Sequence, residues 1–253
     1  MLLYYIFIAI LGLIIGSFIS AFTYRNPREI SISDGRSRCP KCKREIAWYD
    51  NIPLLSYILL GGKCRNCGKK ISLRYPAIEA GTAGVFLVVA SQLGGEGGIG
   101  RLGFMLVVAS ILIAIFVIDL EHMIIPDSLV FILLGITFFY YILTSSYSPY
   151  TALLTGFLTS LLFLFLHLVT LGRGMGLGDV KLVIPLGMIL GWPLAFVWLF
   201  LSFILGAVVG IILILSKKSS FGKHIAFGPF LVVGFFVALL WGERLLGFYP
   251  LNQ

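Results

Sequence analysis

The stretch Ile111-Leu-Ile-Ala-Ile-Phe-Val-Ile118 is wholly apolar and ends on an aspartate, Asp119. A second aspartate, Asp179, closes the glycine-rich sequence Gly174-Met-Gly-Leu-Gly178 just before another apolar run. An ionisable side chain at membrane depth is costly, so its presence indicates a functional site. Two carboxylates that meet across a helix bundle would form an acid/base pair that shares protons.

The composition is that of an integral membrane protein. The 253 residues are 59% hydrophobic and 12% charged, whereas a soluble domain carries about 25% charged residues. Since each span needs about 20 apolar residues, we expect an all-α polytopic fold with about eight transmembrane helices. These are residues 2–22, 77–93, 102–118, 128–144, 150–171, 180–190 (a short one), 192–215 and 225–245. The first run has no basic segment before it and no cleavage site after it, so we expect a retained helix and not a signal peptide.

The basic residues predict the orientation. Residues 23–76 contain twelve Lys and Arg, and the segments near Asp179 and at 216–224 contain five more. If the helices alternate in direction, 17 of the 19 basic residues lie on one side, and only Arg101 and Arg244 lie opposite. That side is predicted to be the cytoplasm, with Asp119 and Asp179 at its membrane border. The net charge of +8 thus reflects topology, with anionic lipid as a secondary partner and no indication of nucleic-acid binding.

All four cysteines lie in one polar segment. They form the pairs Cys39-Pro-Lys-Cys42 and Cys64-Arg-Asn-Cys67. Two such pairs close a tetrahedral Zn²⁺ site without an open position, which favours a structural zinc. Disulfide or redox roles are the alternatives, and a reducing cytoplasm disfavours a disulfide. The predicted domains are a first transmembrane helix (1–23), a small cytoplasmic zinc-binding domain inserted between helices 1 and 2 (24–76) and a membrane domain (77–253).

Motifs along nearly the whole chain resemble one family. They are Gly16-Ser-Phe18, Tyr24-Arg25, the two cysteine pairs, Trp48-Tyr-Asp-Asn-Ile-Pro53, Leu55-Ser-Tyr57, Arg74-Tyr-Pro76, Glu79, Ile118-Asp119 through Ile125-Pro-Asp127, Gly174 to Asp179 with Lys181, and Phe227-Gly-Pro-Phe230. In this order they resemble the bacterial type IV prepilin peptidases, also called leader peptidase/N-methyltransferases. Ser20 departs from the family, which commonly has asparagine there.

The resemblance implies an intramembrane aspartyl peptidase of the GxGD class in the bacterial cytoplasmic membrane. Such enzymes remove the basic leader of type IV prepilins and pseudopilins on the cytoplasmic side, usually after a glycine. The resemblance also implies that the new N-terminal amine is methylated with S-adenosylmethionine. No dinucleotide fingerprint or Rossmann-like alternation supports that second activity, so it depends on the resemblance alone.

Peptide hydrolysis by two carboxylates needs one ionised group as general base and one protonated group as acid. The predicted helix ends favour Asp179, at an N-terminus, as the base and Asp119, at a C-terminus, as the acid. Gly174, Gly176 and Gly178 are expected to form an active-site loop that removes side chains around Asp179 and allows left-handed backbone.

Other polar residues near these sites have structural alternatives. Asp127 is predicted to be the N-cap of the fourth helix rather than a catalytic group. Glu121 and His122 are expected in a short loop, where they are solvated or structural. His167, alone on an apolar helix, is expected to make a buried polar contact rather than to bind a ligand.

Two charged residues are candidates for substrate recognition. Lys181 either favours the ionised carboxylate pair or extends to lipid headgroups. Glu79 either caps the second helix or recognises the basic leader, and the family resemblance favours recognition.

Two other classes of function remain open at this point. A proton- or cation-coupled transporter would place its aspartates near the bilayer midplane between repeated halves. No internal repeat of that kind is visible, and both aspartates fall at one border. A non-catalytic, zinc-containing assembly factor of a secretion system would tolerate the loss of either aspartate.

Overall fold

The computed structural model describes residues 1–31, 37–93, 98–144, 149–216 and 225–247. Four of the basic residues used to predict the orientation, Arg36, Lys217, Lys218 and Lys223, lie outside these ranges. In the described part of the chain the helices are α1 (Leu2–Arg25), α2 (Leu55–Leu59), α3 (Arg74–Leu93), α4 (Gly98–His122), α5 (Asp127–Thr144), α6 (Pro149–Val169), α7 (Leu177–Leu190), α8 (Leu194–Leu215) and α9 (Gly228–Gly247). Short 3-10 helices span Asn26–Arg28 and Trp48–Asn51.

The all-α polytopic fold is confirmed. Seven of the described helices are long and apolar enough to cross a membrane: α1, α3, α4, α5, α6, α8 and α9. The predicted sixth span corresponds to α7, which has 14 residues. At about 1.5 Å per residue it reaches only about 21 Å, less than a hydrocarbon core of about 30 Å.

The chain divides into two compact units, residues 1–114 and 115–253, and α4 passes from one to the other. In the first unit, α1 and α3 pack antiparallel through small residues. A Cβ on Gly12 would lie 2.6 Å from the Cα of Ala83, and one on Gly16 would lie 2.8 Å from the Cα of Glu79. Small residues four apart let two membrane helices approach this closely, where dispersion replaces the missing hydrophobic driving force.

The same helix pair is joined at its other end by Arg74. Its guanidinium donates to the carbonyl oxygen of Ser20 at 3.1 Å and to Oγ1 of Thr23 at 2.7 Å, both on α1. The cysteine segment therefore leaves from, and returns to, two helix ends that are fixed to each other.

The second unit is built around the short helix α7, which packs against α5, α6, α8 and α9. Ten of its fourteen residues are buried. Its contact with α6 is close because Gly156 and Gly187 face each other; a Cβ on Gly187 would lie 3.0 Å from the Cα of Gly156. Ser160 of α6 also donates to the carbonyl oxygen of Val180 at 2.9 Å. This packing fixes the start of α7, where Asp179 lies.

Candidate active site and metal centre

Asp119 lies in the last turn of α4, which extends to His122 and not to residue 118 as expected. Its side chain is buried, with 4% exposure. The backbone of Gly228, the first residue of α9, lies against the carboxylate: a Cβ there would be 2.5 Å from Oδ2. Glycine is therefore the residue that this position accommodates.

Asp179 is the third residue of α7 and is also buried, with 7% exposure. Its Oδ2 accepts a hydrogen bond from the N–H of Gly176 at 3.2 Å. This contact satisfies one of the N–H groups left unpaired at the start of a helix, as in a capping box.

The two aspartates belong to one site. Their side chains lie close enough for their charges to interact. The side chain of Ile125 links their surroundings, since a Cβ on Gly178 would lie 3.0 Å from Ile125 Cβ and one on Gly228 would lie 3.4 Å from its Cδ1. Within the described ranges, Oδ2 of Asp119 and Oδ1 of Asp179 are buried without a hydrogen-bond partner. Each aspartate thus keeps a carboxylate oxygen that is free of hydrogen bonds within the described structure.

The helix ends do not distinguish the two carboxylates as expected. Asp179 is at the N-terminus of α7, but the N-terminus of α9 faces Asp119 through Gly228. Each carboxylate thus meets the positive end of a helix dipole. The assignment of Asp179 as base and Asp119 as acid therefore loses the argument on which it depended. The motif Phe227-Gly-Pro-Phe230 was visible in the sequence, but its contact with Asp119, more than 100 residues away, was missed.

The three glycines before Asp179 matter because they lack a side chain, and not because their backbone is left-handed. Positive φ occurs earlier in the loop, at Leu171 (+50°) and Gly172 (+75°), and not at Gly174, Gly176 or Gly178. A Cβ on Gly174 would lie 2.9 Å from Thr170 Cγ2, and one on Gly176 would lie 3.3 Å from Asp179 Oδ2. The expectation of left-handed glycines was wrong, because close packing is what excludes side chains here.

The end of α6 holds this glycine loop at two points. Nδ1 of His167 lies 2.7 Å from the carbonyl oxygen of Met175. A carbonyl only accepts, so Nδ1 carries the proton and donates. Oγ1 of Thr170 accepts from the N–H of Gly174 at 3.1 Å. The half-buried His167 thus makes a polar contact of the kind expected, and this contact reaches the loop that ends at Asp179.

Lys181 pairs with Asp127, a contact that the sequence did not reveal. Its Nζ lies 2.8 Å from both carboxylate oxygens. Asp127 is the first residue of α5 and therefore does not occupy the N-cap position expected for it. Both side chains are about half exposed, 42% for Lys181 and 55% for Asp127, so the pair contributes little to stability.

Glu121 and His122 lie in the last turn of α4 and not in a loop. His122 Nε2 and Glu121 Oε2 are 3.9 Å apart.

The four cysteine sulfurs come together in the first unit. All lie within 4.8 Å of one another, and Cys39 Sγ is 4.0 Å from Cys67 Sγ. The thiols are free, so no disulfide competes with a ligand role. Four convergent sulfurs form a cluster that could hold one metal ion.

Each cysteine pair forms the same backbone turn. The N–H of Lys43 donates to the carbonyl oxygen of Cys39 at 2.8 Å, and the N–H of Gly68 donates to that of Cys64 at 2.9 Å. Lys43 and Gly68, each four residues after the first cysteine of its pair, have φ of +59° and +66°. Two equivalent turns therefore present two sulfurs each to one point.

Glu79 is buried beside this cysteine module. Its exposure is 8%, and its Oε2 accepts from the N–H of Leu54 at 2.9 Å. One of its carboxylate oxygens is therefore engaged within the first unit. A contact between Glu79 and a basic leader stays a prediction.

These features define a multi-pass membrane protein with two buried carboxylates at one site and a four-cysteine cluster that could hold a metal ion. Two family models match it: the bacterial peptidase A24 N-terminal domain over residues 10–93 and the type IV leader peptidase family over residues 106–211.

Relatives match almost the full length of the chain. The prepilin leader peptidase/N-methyltransferase of Aeromonas salmonicida is 36% identical, covering 98% of this chain and 94% of the relative. The proteins of that name from Pseudomonas aeruginosa and Bacillus subtilis are 32% and 33% identical, each covering 95% of this chain and 91% and 95% of the relative. No solved structure gives a significant match. The chain belongs to the type IV leader peptidase family and is a membrane peptidase.

The contact between His167 and Met175 predicts a positioning role in catalysis. We expect His167→Ala to lower kcat about 2- to 10-fold with a smaller change in KM, since one hydrogen bond contributes about 0.5–1.5 kcal/mol. His167→Asn should recover much of the loss, because the asparagine Nδ2 can donate from nearly the same place as Nδ1.

Leu168→Ala is the matched control, since Leu168 is 61% exposed on the same helix. Steady-state kinetics in detergent would measure all three variants. A His167→Asn variant no more active than His167→Ala would contradict the positioning role.

Proposed function

We propose that this chain is an aspartyl endopeptidase that removes the leader peptide of type IV prepilins or pseudopilins, with Asp119 and Asp179 as its catalytic pair. The observation that carries the proposal is the pair of buried carboxylate oxygens without hydrogen-bond partners in the described structure, one on each aspartate. Burying two carboxylates that each keep an oxygen without a hydrogen-bond partner is costly, and such burial is retained where the groups serve chemistry.

The proposed reaction uses the pair as a unit. Two close carboxylates cannot both ionise cheaply, so one is protonated while the other is an anion. The anion takes a proton from water as the water attacks the scissile carbonyl carbon, and the carboxylic acid donates a hydrogen bond to the carbonyl oxygen. The N-termini of α7 and α9 stabilise negative charge at either aspartate, so the two residues can exchange roles during turnover.

The glycines determine how a substrate reaches the pair. Gly176 and Gly228 lack the side chains that would meet the carboxylates of Asp179 and Asp119. An extended peptide backbone can then approach both acids. A helical substrate hides its carbonyls in internal hydrogen bonds, so the scissile segment has to be extended or unwound before water can attack.

We infer the orientation from the charges. With the basic residues on the cytoplasmic side, the aspartates lie at the cytoplasmic border of the membrane. The peptide bond within reach is one where a polar leader meets a membrane-embedded helix. Such a substrate keeps its basic leader in the cytoplasm, as expected for a prepilin.

In this arrangement residues 1–23 are the first membrane helix, 24–76 the metal module and 77–253 the peptidase domain.

The metal module is proposed to bind a structural Zn²⁺ through Cys39, Cys42, Cys64 and Cys67. Tetrahedral Zn–S bonds of about 2.3 Å separate the sulfurs by about 3.8 Å, close to the 4.0 Å between Cys39 and Cys67. Because all four positions around the metal are protein ligands, the ion would fold the module and take no part in cleavage.

N-methylation of the new N-terminus with S-adenosylmethionine is a second proposed activity. Its support is the name that the relatives share, prepilin leader peptidase/N-methyltransferase. The transporter and assembly-factor alternatives find no support in these relatives.

Loss of either aspartate should abolish cleavage. We expect Asp119→Asn and Asp179→Asn each to lower kcat at least about 10²-fold, because an amide neither accepts the proton from water nor donates as an acid. Leader removal would be measured by gel shift with a purified prepilin, after confirming that each variant is inserted and folded.

Asp127→Asn is the control, a third acid near the membrane border whose exposed ion pair contributes little. It should retain most activity. Substantial cleavage by Asp119→Asn or Asp179→Asn would refute the catalytic assignment.

Zinc should be present at one ion per chain. We expect Cys39→Ser or Cys64→Ser to release it and to destabilise the module, with an indirect loss of activity. Lys41→Ser, inside the first cysteine pair but not a ligand, should keep the metal. Elemental analysis of the purified protein that finds no zinc would overturn the assignment.

The glycine before the cleavage site of the substrate should be required. We expect its replacement by valine to block processing, since a β-branched side chain would stiffen the backbone and fill the space that Gly176 and Gly228 leave open. Replacing leader lysines should mainly raise KM. Efficient cleavage of the valine substrate would show that these glycines do not shape the cleft.

A further inference from the structure

Helix α2 of the cysteine module presents an apolar face to its surroundings. Leu55, Ile58 and Leu59 lie on this face at helical spacing and are 49%, 71% and 75% exposed. Ser56, beside this face, is instead buried and donates to the carbonyl oxygen of Tyr49 at 2.8 Å. An exposed apolar face of this kind on a soluble module would be unfavourable in water.

The depth of α2 follows from its bond to α3. With 20 residues, α3 is about 30 Å long, which equals the thickness of a hydrocarbon core, so Arg74 lies near the core boundary. Glu79 is five residues further along, about 7.5 Å into the core at 1.5 Å per residue. Its Oε2 accepts from the N–H of Leu54, the residue before α2. The start of α2 is therefore held at or below the level of the headgroups.

Other contacts in the first unit indicate the same position for the membrane border. Arg74 bonds to Ser20 and Thr23 near the end of α1. About one turn beyond Thr23, the guanidinium of Arg28 lies 4.2 Å from the ring centre of Tyr24. Arginine and tyrosine concentrate at membrane borders, where the apolar part of each side chain is in lipid and the polar part in water. The border thus passes near Tyr24 and Arg74, with Glu79 on the lipid side of it.

The segment also meets the conditions that lipid imposes. From residue 46 to 62 the one charged side chain is Asp50, and Arg65 donates to both of its carboxylate oxygens, at 2.7 to 3.1 Å. Several of its backbone N–H groups pair locally: those of Ser56, Ile58 and Leu60 donate four residues back. Glu79 provides the acceptor for Leu54, which precedes the first of these. Backbone groups satisfied within the segment are what an apolar medium requires.

We propose that α2 is a monotopic membrane element: its face of Leu55, Ile58 and Leu59 is inserted among the lipid acyl chains just below the headgroups, and the hydrogen bond from Leu54 to Glu79 sets its depth. A depth of about 5–10 Å below the surface is typical of interfacial helices. The exposed Lys63, Lys69 and Lys70 follow in the chain and would favour a leaflet with anionic headgroups. The cysteine module is then seated in the membrane surface and not suspended above it.

Depth-resolved fluorescence quenching of the full chain would test this. A small fluorescent amino acid would be introduced at Leu59, and separately at Ile58, by amber suppression, which leaves the four cysteines intact. The protein would be placed in nanodiscs of phosphatidylethanolamine and phosphatidylglycerol that contain nitroxide lipids labelled at the headgroup, high on the acyl chain, or deep in it. Iodide would report access from water.

We expect the label high on the acyl chain to quench both positions most strongly and iodide to quench them weakly. Lys69 is the aqueous control in the same module, where iodide should dominate. Phe7, 65% exposed on α1, is the lipid control. Iodide quenching at Leu59 and Ile58 equal to that at Lys69 would place α2 in water and overturn the proposal. Quenching by neither agent would mean that protein covers the face, which would also overturn it.

Two variants of Glu79 test whether the hydrogen bond from the Leu54 N–H sets the depth of α2. With the fluorophore at Leu59, Glu79→Leu removes the acceptor for the Leu54 N–H, and we expect stronger quenching by iodide and by headgroup labels. Glu79→Gln keeps an accepting oxygen and should leave the quenching pattern unchanged. Identical patterns in the two variants would refute the role of Glu79 in setting the depth.

Discussion

The second unit depends on two carboxylates held inside a bundle of apolar helices. A buried acid must find polar partners, because lipid cannot supply them. Asp179 finds the N–H of Gly176 at the start of α7, and Asp119 finds the backbone of Gly228 at the start of α9. Two helices must therefore begin within the site, close to the last turn of α4.

That arrangement explains several features that would otherwise be unrelated. α7 is short and buried because its N-terminus has to reach the site while its body packs against four other helices. Glycine suits positions 178 and 228 because a Cβ at 178 would crowd Ile125 and one at 228 would collide with the Asp119 carboxylate. His167 and Thr170 fix the loop that precedes Asp179. In the proposed reaction, carboxylates positioned on helix termini beside a loop held by side-chain bonds form a preorganised site.

The first unit attaches a small polar module, the cysteine segment, to the membrane helices. Close packing of α1 and α3 through Gly12 and Gly16 fixes the two helices between which the module is inserted. Glu79 then ties the module to α3 through Leu54. The two cysteine turns bring their four sulfurs together although the segment is too short to bury a large apolar core. A metal bound to these sulfurs would supply the stabilisation that such a core gives a larger domain.

Much of this protein could be predicted from the sequence because the relevant signals are local. Apolar runs of sufficient length predict helices in lipid, the two cysteine pairs predict convergent sulfurs, and an aspartate beside an apolar run marks a site. The contacts of Asp119 with Gly228, of Lys181 with Asp127 and of Glu79 with Leu54 join residues 109, 54 and 25 positions apart. Neither periodicity nor spacing encodes such pairs, because they depend on which helix faces meet. The same holds for the length of α7 and for the helix dipole at Asp119: composition determines that a segment is buried, but only packing determines where it begins and what it faces.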